Sequence, residues 1–233
     1  MPVDTLNKKL IEFWTNTLRC RFCNLPKGYR PQFRPVGKLY RPGGVVFLQI
    51  NPGYIGGTTK SEIRTKYKSE RNRDLSLRKL EMTKYLQDVQ EEFLEYPSTR
   101  TWDFLCTEYF GVMREIWGWP PGRYARTIEA HGVELDSIAI VNLAQCPVRD
   151  NDYNKEFLKK CWKKRTFELL SILRPAIIVA QSKTVFDYCK DLKASLSMNG
   201  EPTVLQGVHH ASRASSEEKQ RLFNKTRIQL KNA

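Results

Sequence analysis

No apolar run in this 233-residue sequence approaches a membrane span, which needs about 20 consecutive apolar residues. The opening, Met1-Pro2-Val3-Asp4, lacks the basic-then-apolar order of a secretory signal. Both absences lead to the expectation of a cytoplasmic protein with no membrane partner. No Gly-x-Gly-x-x-Gly follows any apolar run, which argues against a dinucleotide-binding enzyme. Internal repeats and low-complexity segments are also missing, so a repeat array is excluded. Acidic residues are scarce beside basic ones, 25 Asp+Glu against 39 Lys+Arg, leaving a net charge of +14. Such an excess calls for a polyanionic partner, because each neutralised phosphate releases counterions. With no amphipathic anchor for anionic lipid, nucleic acid is the expected partner.

What is present is organised around Val45-Val46-Phe47-Leu48-Gln49-Ile50, which stops at once on Asn51-Pro52-Gly53. An apolar, β-branched run of this kind reads as a strand buried on both faces inside a parallel sheet. Similar runs follow at Ser137–Val141, Ala176–Ala180 and Thr203–Val208. Helical spacing separates them: 4–19, 60–95, 101–117, a short helix reaching His131-Gly132, 154–173, 184–196 and 216–230. Strands alternating with helices predict an α/β protein, a three-layer α/β/α sandwich around a four-stranded parallel sheet. The length suits a single domain over 1–233 with a basic helical insertion around 58–100. The early part of that insertion carries Lys60, Arg64 and Lys66, candidates either for contacts to a phosphate backbone or for a solvated helical face. The reading takes the protein as a monomer.

Strand ends carry the polar signals: Asn51-Pro52-Gly53 after the first strand, Asn142 after the second, His210-Ala211-Ser212 after the fourth. In a parallel sheet all strand carboxyl ends lie along one edge, where α/β sheets bind ligands. These motifs resemble those of the uracil-DNA glycosylase superfamily. Gln49-Ile50-Asn51-Pro52-Gly53 is similar to the Gly-x-Asn-Pro-Gly motif of the mismatch-specific branch, with Gln49 in place of the first Gly. His210-Ala211-Ser212-Arg213-Ala214-Ser215 is similar to His-Pro-Ser-x-x-Ser, with Ala211 in place of Pro. Val141-Asn142-Leu143-Ala144-Gln145-Cys146 resembles the Thr-Asn-x-x-Lys-Cys segment of the iron–sulfur branch. The resemblance runs over roughly 18–215, the 58–135 region excepted.

The resemblance implies a monofunctional DNA glycosylase that hydrolyses the N-glycosidic bond of a flipped-out pyrimidine and leaves an abasic site. Asn51 is then expected at the attacking water and His210 at O2 of the departing base. Asn142 would read the base edge, with Gln49, Pro52, Gly53 and Ser212 lining the pocket. Glycine at 53 leaves space at C5 of the base, so uracil, a C5-substituted uracil or a modified cytosine are all candidates. DNA repair and antiviral defence are the corresponding roles, and a non-catalytic iron–sulfur DNA-binding protein is the alternative. Arg213 is the candidate to fill the hole left in the duplex.

Six cysteines in a cytosolic chain are metal ligands or core residues rather than a disulfide framework. Cys20-x2-Cys23 and Cys146-x14-Cys161 suit tetrahedral zinc or an iron–sulfur cluster on chemistry alone. The resemblance implies a [4Fe–4S] cluster on these four thiolates, with a structural role. Cys106 and Cys189 fall in helical patterns and are expected in the core.

Overall fold

A computed structural model describes residues 3–20, 31–50, 69–117, 121–146, 155–191, 202–209 and 214–232. Helix α1, Val3–Leu18, is followed by strand β1, Val45–Gln49. Helices α2, Glu70–Glu95, α3, Thr99–Glu115, and α4, Arg123–Glu129, come next, before strand β2, Ile138–Asn142. The predicted helix over 154–173 is interrupted: α5, Lys155–Cys161, passes through a π-helical turn, Trp162–Thr166, into α6, Phe167–Leu173. Strand β3, Ile177–Ala180, α7, Lys183–Asp191, strand β4, Thr203–Gln206, and α8, Ser216–Lys231, complete the order. None of the described helices is long and apolar enough to cross a membrane.

Local chemistry sets several of these boundaries. Ser98 opens α3 with a reciprocal capping box: its hydroxyl accepts from Thr101 N at 3.2 Å and its own amide donates to Thr101 Oγ1 at 3.0 Å. Ser215 caps α8, its hydroxyl accepting from Glu218 N at 3.1 Å. Ser215 closes the His210–Ser215 motif, so that position has a structural duty.

The sheet is parallel throughout, in the order β2-β1-β3-β4. Parallel strands need long crossovers, and the intervening helices supply them on both faces. The result is the three-layer α/β/α arrangement expected from the alternating pattern. Side chains alternate between faces along each strand. Leu48, Val141 and Ala180 join one core with α1, α2, α6 and one side of α3; Phe47, Ile140 and Val179 join the other with α4 and with Phe110 and Met113 of α3. Phe47 is fully buried, and a Phe47→Ala change would cost about 3–5 kcal/mol.

The charged helix α2 is more than a solvated face. It buries Leu80, Leu86, Val89 and Phe93, and the last three belong to the same core as Trp14 and Leu48. Lys60, Arg64 and Lys66 lie outside the described residues.

Candidate functional site

Strand register brings three carboxamides into one row at the carboxyl edge of the sheet. Gln49, the last residue of β1, pairs in register with Asn142, the last residue of β2. Leu48 pairs with Ala180, and Gln181 N donates to Leu48 O at 2.9 Å, so Gln181, the residue just past β3, stands opposite Gln49. Alternation from Phe47, Ile140 and Val179 puts all three amides on the face that packs against α4 and against Phe110 and Met113 of α3.

The three are buried to different effect. Asn142 is 0% exposed and Gln181 1%, and neither Oδ1 and Nδ2 of Asn142 nor Oε1 and Nε2 of Gln181 has a hydrogen-bond partner among the described residues. Gln49, between them, donates from Nε2 to the hydroxyl of Tyr124 on α4. Buried polar atoms are nearly always paired, and a dry unpaired one costs roughly 1–3 kcal/mol. Two amides without a partner among the described residues, beside a third bonded to Tyr124, make this edge the candidate site.

Arg34 borders the row. Its side chain is buried, with the guanidinium 5.3 Å from the ring centre of Trp117. Burial pushes the Tyr109 phenol up to about 12 and raises that of Tyr124 further; the Arg34 charge opposes both shifts. Both phenols are therefore neutral at physiological pH, and Tyr124 can accept from Gln49 while donating elsewhere. Arg34 lies in the segment between α1 and β1, which has no helical or strand periodicity. Its position follows from the 32–37 segment running beside β2, where Ile140 N donates to Pro35 O at 3.1 Å.

The backbone that presents Asn142 is held from below. Thr166, the last residue of the π-helical turn, donates to Asn142 O at 2.9 Å and lies 3.0 Å from Leu143 O. Gln145 Nε2 donates to the same Asn142 carbonyl at 2.9 Å. Past the strand, Leu143 N and Ala144 N donate to Gln49 O and Ile50 O at 2.8 and 2.9 Å, extending the ladder towards Asn51. A π turn re-aims side chains by one extra residue and recurs at functional sites.

The same loop reaches the cysteines. Gln145 N donates to Cys161 Sγ at 3.2 Å, and both Cys146 and Cys161 are buried while Cys20 is partly exposed. A sulfur that accepts a backbone N–H has the hydrogen bonding of a metal-bound thiolate, so Cys161 fits the donor set. Among the described residues no three His, Cys, Asp or Glu side chains converge on one point, and Cys23 lies outside them. Cys106 and Cys189 are in the core as expected, with burial raising both thiol pKa values, Cys189 to about 12.

On the far side of the row, His131 fixes the exit of β4. Its Nδ1 donates to Thr127 O at 2.8 Å, so its Nε2 is the acceptor for Val208 N–H at 3.0 Å. The ring packs edge-on against Phe47 and Phe223 at 5.2 and 4.7 Å. Gly207 is needed beside it, because a Cβ there would sit 2.4 Å from Val179 Cγ1 and 3.0 Å from His131 Nε2. Burial lowers the pKa of His131 and of His209 to about 4, so both are neutral near pH 7.

Of the expected site residues, Gln49, Asn142, Cys20, Cys146 and Cys161 are described, and Gln49 and Asn142 meet in one row. Asn51, Pro52, Gly53, His210, Ser212 and Arg213 lie outside the described residues, as does the Lys60–Lys66 group. Gln181, Tyr124, Thr166 and His131 escaped sequence reasoning. The chain matches no protein-family model and no curated protein sequence.

Proposed function

We propose that this protein is a monofunctional DNA glycosylase that takes a pyrimidine out of the stack and hydrolyses its N-glycosidic bond. The observation that carries the reading is Asn142, fully buried at the end of β2 with both ends of its amide unpartnered among the described residues. One donor and one acceptor side by side match N3–H and O4 of uracil, and the same amide turned over matches N3 and the 4-amino group of cytosine. The strand beside it leads directly into Asn51-Pro52-Gly53, and the β4 exit held by His131 leads into His210.

In this reading Asn51 orients a water that adds to C1′ as the N1–C1′ bond breaks and its electron pair leaves with the base; the added water then loses its proton to solvent, and the departed anion takes one up. An amide has no proton affinity near pH 7 and cannot be a general base, so catalysis rests on stabilising the departing anion. His210 donates a hydrogen bond to O2, worth about 3 kcal/mol in the transition state. The buried Arg34 adds positive potential close to Tyr124 and Gln49. Pro52, Gly53 and Ser212 shape the pocket, and Gly53 leaves C5 of the base unblocked. Arg213 fills the vacated stack, and Lys60, Arg64 and Lys66 neutralise backbone phosphates. Cys20, Cys23, Cys146 and Cys161 would hold a [4Fe–4S] cluster, zinc being the other metal chemistry the set accepts; the cluster would brace the Asn142–Cys146 loop.

The test is a panel of oligonucleotides containing uracil, C5-substituted uracils or modified cytosines, treated with purified protein and scored for alkali-labile abasic sites. At least one base should be excised by the wild type and by neither Asn51→Ala nor His210→Ala. Tight binding to the whole panel with no abasic product would favour a non-catalytic DNA-binding protein.

A further inference from the structure

We propose that the outer face of the α2–α3 pair is a docking surface for an arginine-bearing segment of a partner protein. The inference is independent of the base-excision reading. Its first support is charge segregation. Between Glu81 and Glu115 stand eight acidic residues against three basic ones, in a chain where Lys+Arg outnumber Asp+Glu by 39 to 25. One of the three, Arg114, turns to Asp136 at 3.5 Å. A face of this sign repels phosphates, so it disfavours nucleic acid and attracts a cationic partner.

The second support is apolar. Among the described residues the exposed large apolar side chains are Leu39, Tyr85, Tyr96, Phe104 and Ile228, and three of them belong to this pair of helices. Tyr85, Asp88, Glu92 and Glu95 recur at helical spacing along α2 and are all exposed. The two helices run antiparallel: Arg78 and Glu115 pair at 3.7 Å, and further along α2 the Tyr85 hydroxyl donates to Glu108 Oε2 at 2.8 Å. Phe104, one turn before Glu108 and 43% exposed, therefore lies across from the turn between Asp88 and Glu92. Tyr96, 63% exposed, is held at the end of the face, where Thr101 Oγ1 donates to its carbonyl at 2.7 Å.

Carboxylates interleaved with ring faces select arginine. A guanidinium forks onto a carboxylate and stacks flat on an aromatic ring, whereas an ammonium is a strongly hydrated point charge. A second copy of the chain meeting this face with its own would set like charges opposite one another.

The experiment uses the full chain and two fluorescein-labelled short peptides, one alternating arginine with alanine and one alternating lysine with alanine. Binding is read by fluorescence anisotropy. Wild type should bind the arginine peptide about fivefold more tightly than the lysine peptide. Tyr96→Ser with Phe104→Ser should bring that ratio near one, while melting temperature and affinity for duplex DNA stay at wild-type values. Asp88→Asn with Glu92→Gln should weaken both peptides by about tenfold. Equal binding of the two peptides by wild type would overturn the inference, as would a preference that survives loss of both rings. A fall in DNA affinity on removing the rings would give the face to nucleic acid. Self-association in sedimentation that the same change abolishes would give it to a second copy; either result overturns the inference. Should the double serine variant not fold, the Asp88→Asn, Glu92→Gln variant decides, and unchanged binding of the arginine peptide by it counts against the docking surface.

Discussion

Thr166 donates its hydroxyl hydrogen to the backbone carbonyl of Asn142 at 2.9 Å. The bond joins the π-helical turn that follows Cys161 to the residue that ends β2. Asn142 therefore owes its position to a helix whose first turns carry one of the candidate metal ligands.

Thr166→Val keeps the shape and removes that donor. Both Asn142 O and Leu143 O lose a buried partner, and stability should fall by about 1–2 kcal/mol. Displacing Asn142 by a fraction of an ångström should also lower kcat/KM by roughly tenfold or more. Thr166→Ser should restore both. Chemical denaturation and single-turnover kinetics on the three proteins check this.

Asn142→Leu separates fold from function. The wild-type amide is buried with no hydrogen-bond partner among the described residues. An apolar side chain of similar volume should raise stability by about 1–3 kcal/mol and lower base-excision activity by a hundredfold or more. A stabilised, inactive variant is the expected outcome in melting and activity assays.

The buried histidines predict a pH dependence of folding. His131 and His209 have pKa values near 4 in the fold against 6.5 for an unperturbed imidazole. The unfolded chain then binds more protons between these values, and stability rises with pH across that window. Their contribution is fully present above about pH 6.5, falls as pH drops towards about 4, and changes no further below that. Each is worth on the order of 2–3 kcal/mol. Denaturant midpoints measured from pH 7.5 to 4 should fall accordingly. His131→Phe should flatten the curve while lowering stability at pH 7, since Val208 N–H loses its acceptor.

The cysteine set predicts a metal protein. Anaerobically purified material should be brown, with iron and acid-labile sulfide in equal amounts. Cys161→Ser should lose the metal and reduce solubility and stability, because ligation is folding energy. Colourless folded protein with stoichiometric zinc would replace the cluster with a zinc site.

Much of the fold was legible because fully buried parallel strands are short apolar runs, and β1 to β3 stand out that way, whereas β4, Thr203–Gln206 at the sheet's edge, is only partly buried. Asn142 was legible for a related reason: a polar residue closing such a run has to face the sheet's edge. Gln181 was not. It follows Ala180 as an ordinary turn residue would, and only register with Leu48 and Gln49 places it in the row. The π turn was hidden because one extra residue per turn barely disturbs the helical spacing over 154–173. His131 read as the tail of a short helix, since its bonds to Thr127 and Val208 join residues 4 and 77 positions away. The motif around Asn51 and the one around His210 rest on resemblance alone.

Release of the free base is the most direct measure of the central claim. Wild type, Asn51→Ala and Asn142→Leu are incubated with duplex and single-stranded DNA carrying uracil or a C5-substituted pyrimidine. The freed base is then identified by mass spectrometry, and strand integrity is checked before alkali. The account predicts an intact abasic strand and one equivalent of free pyrimidine from the wild type, with both variants at least a hundredfold slower. No free base from any substrate, at protein concentrations that saturate the DNA, would contradict it.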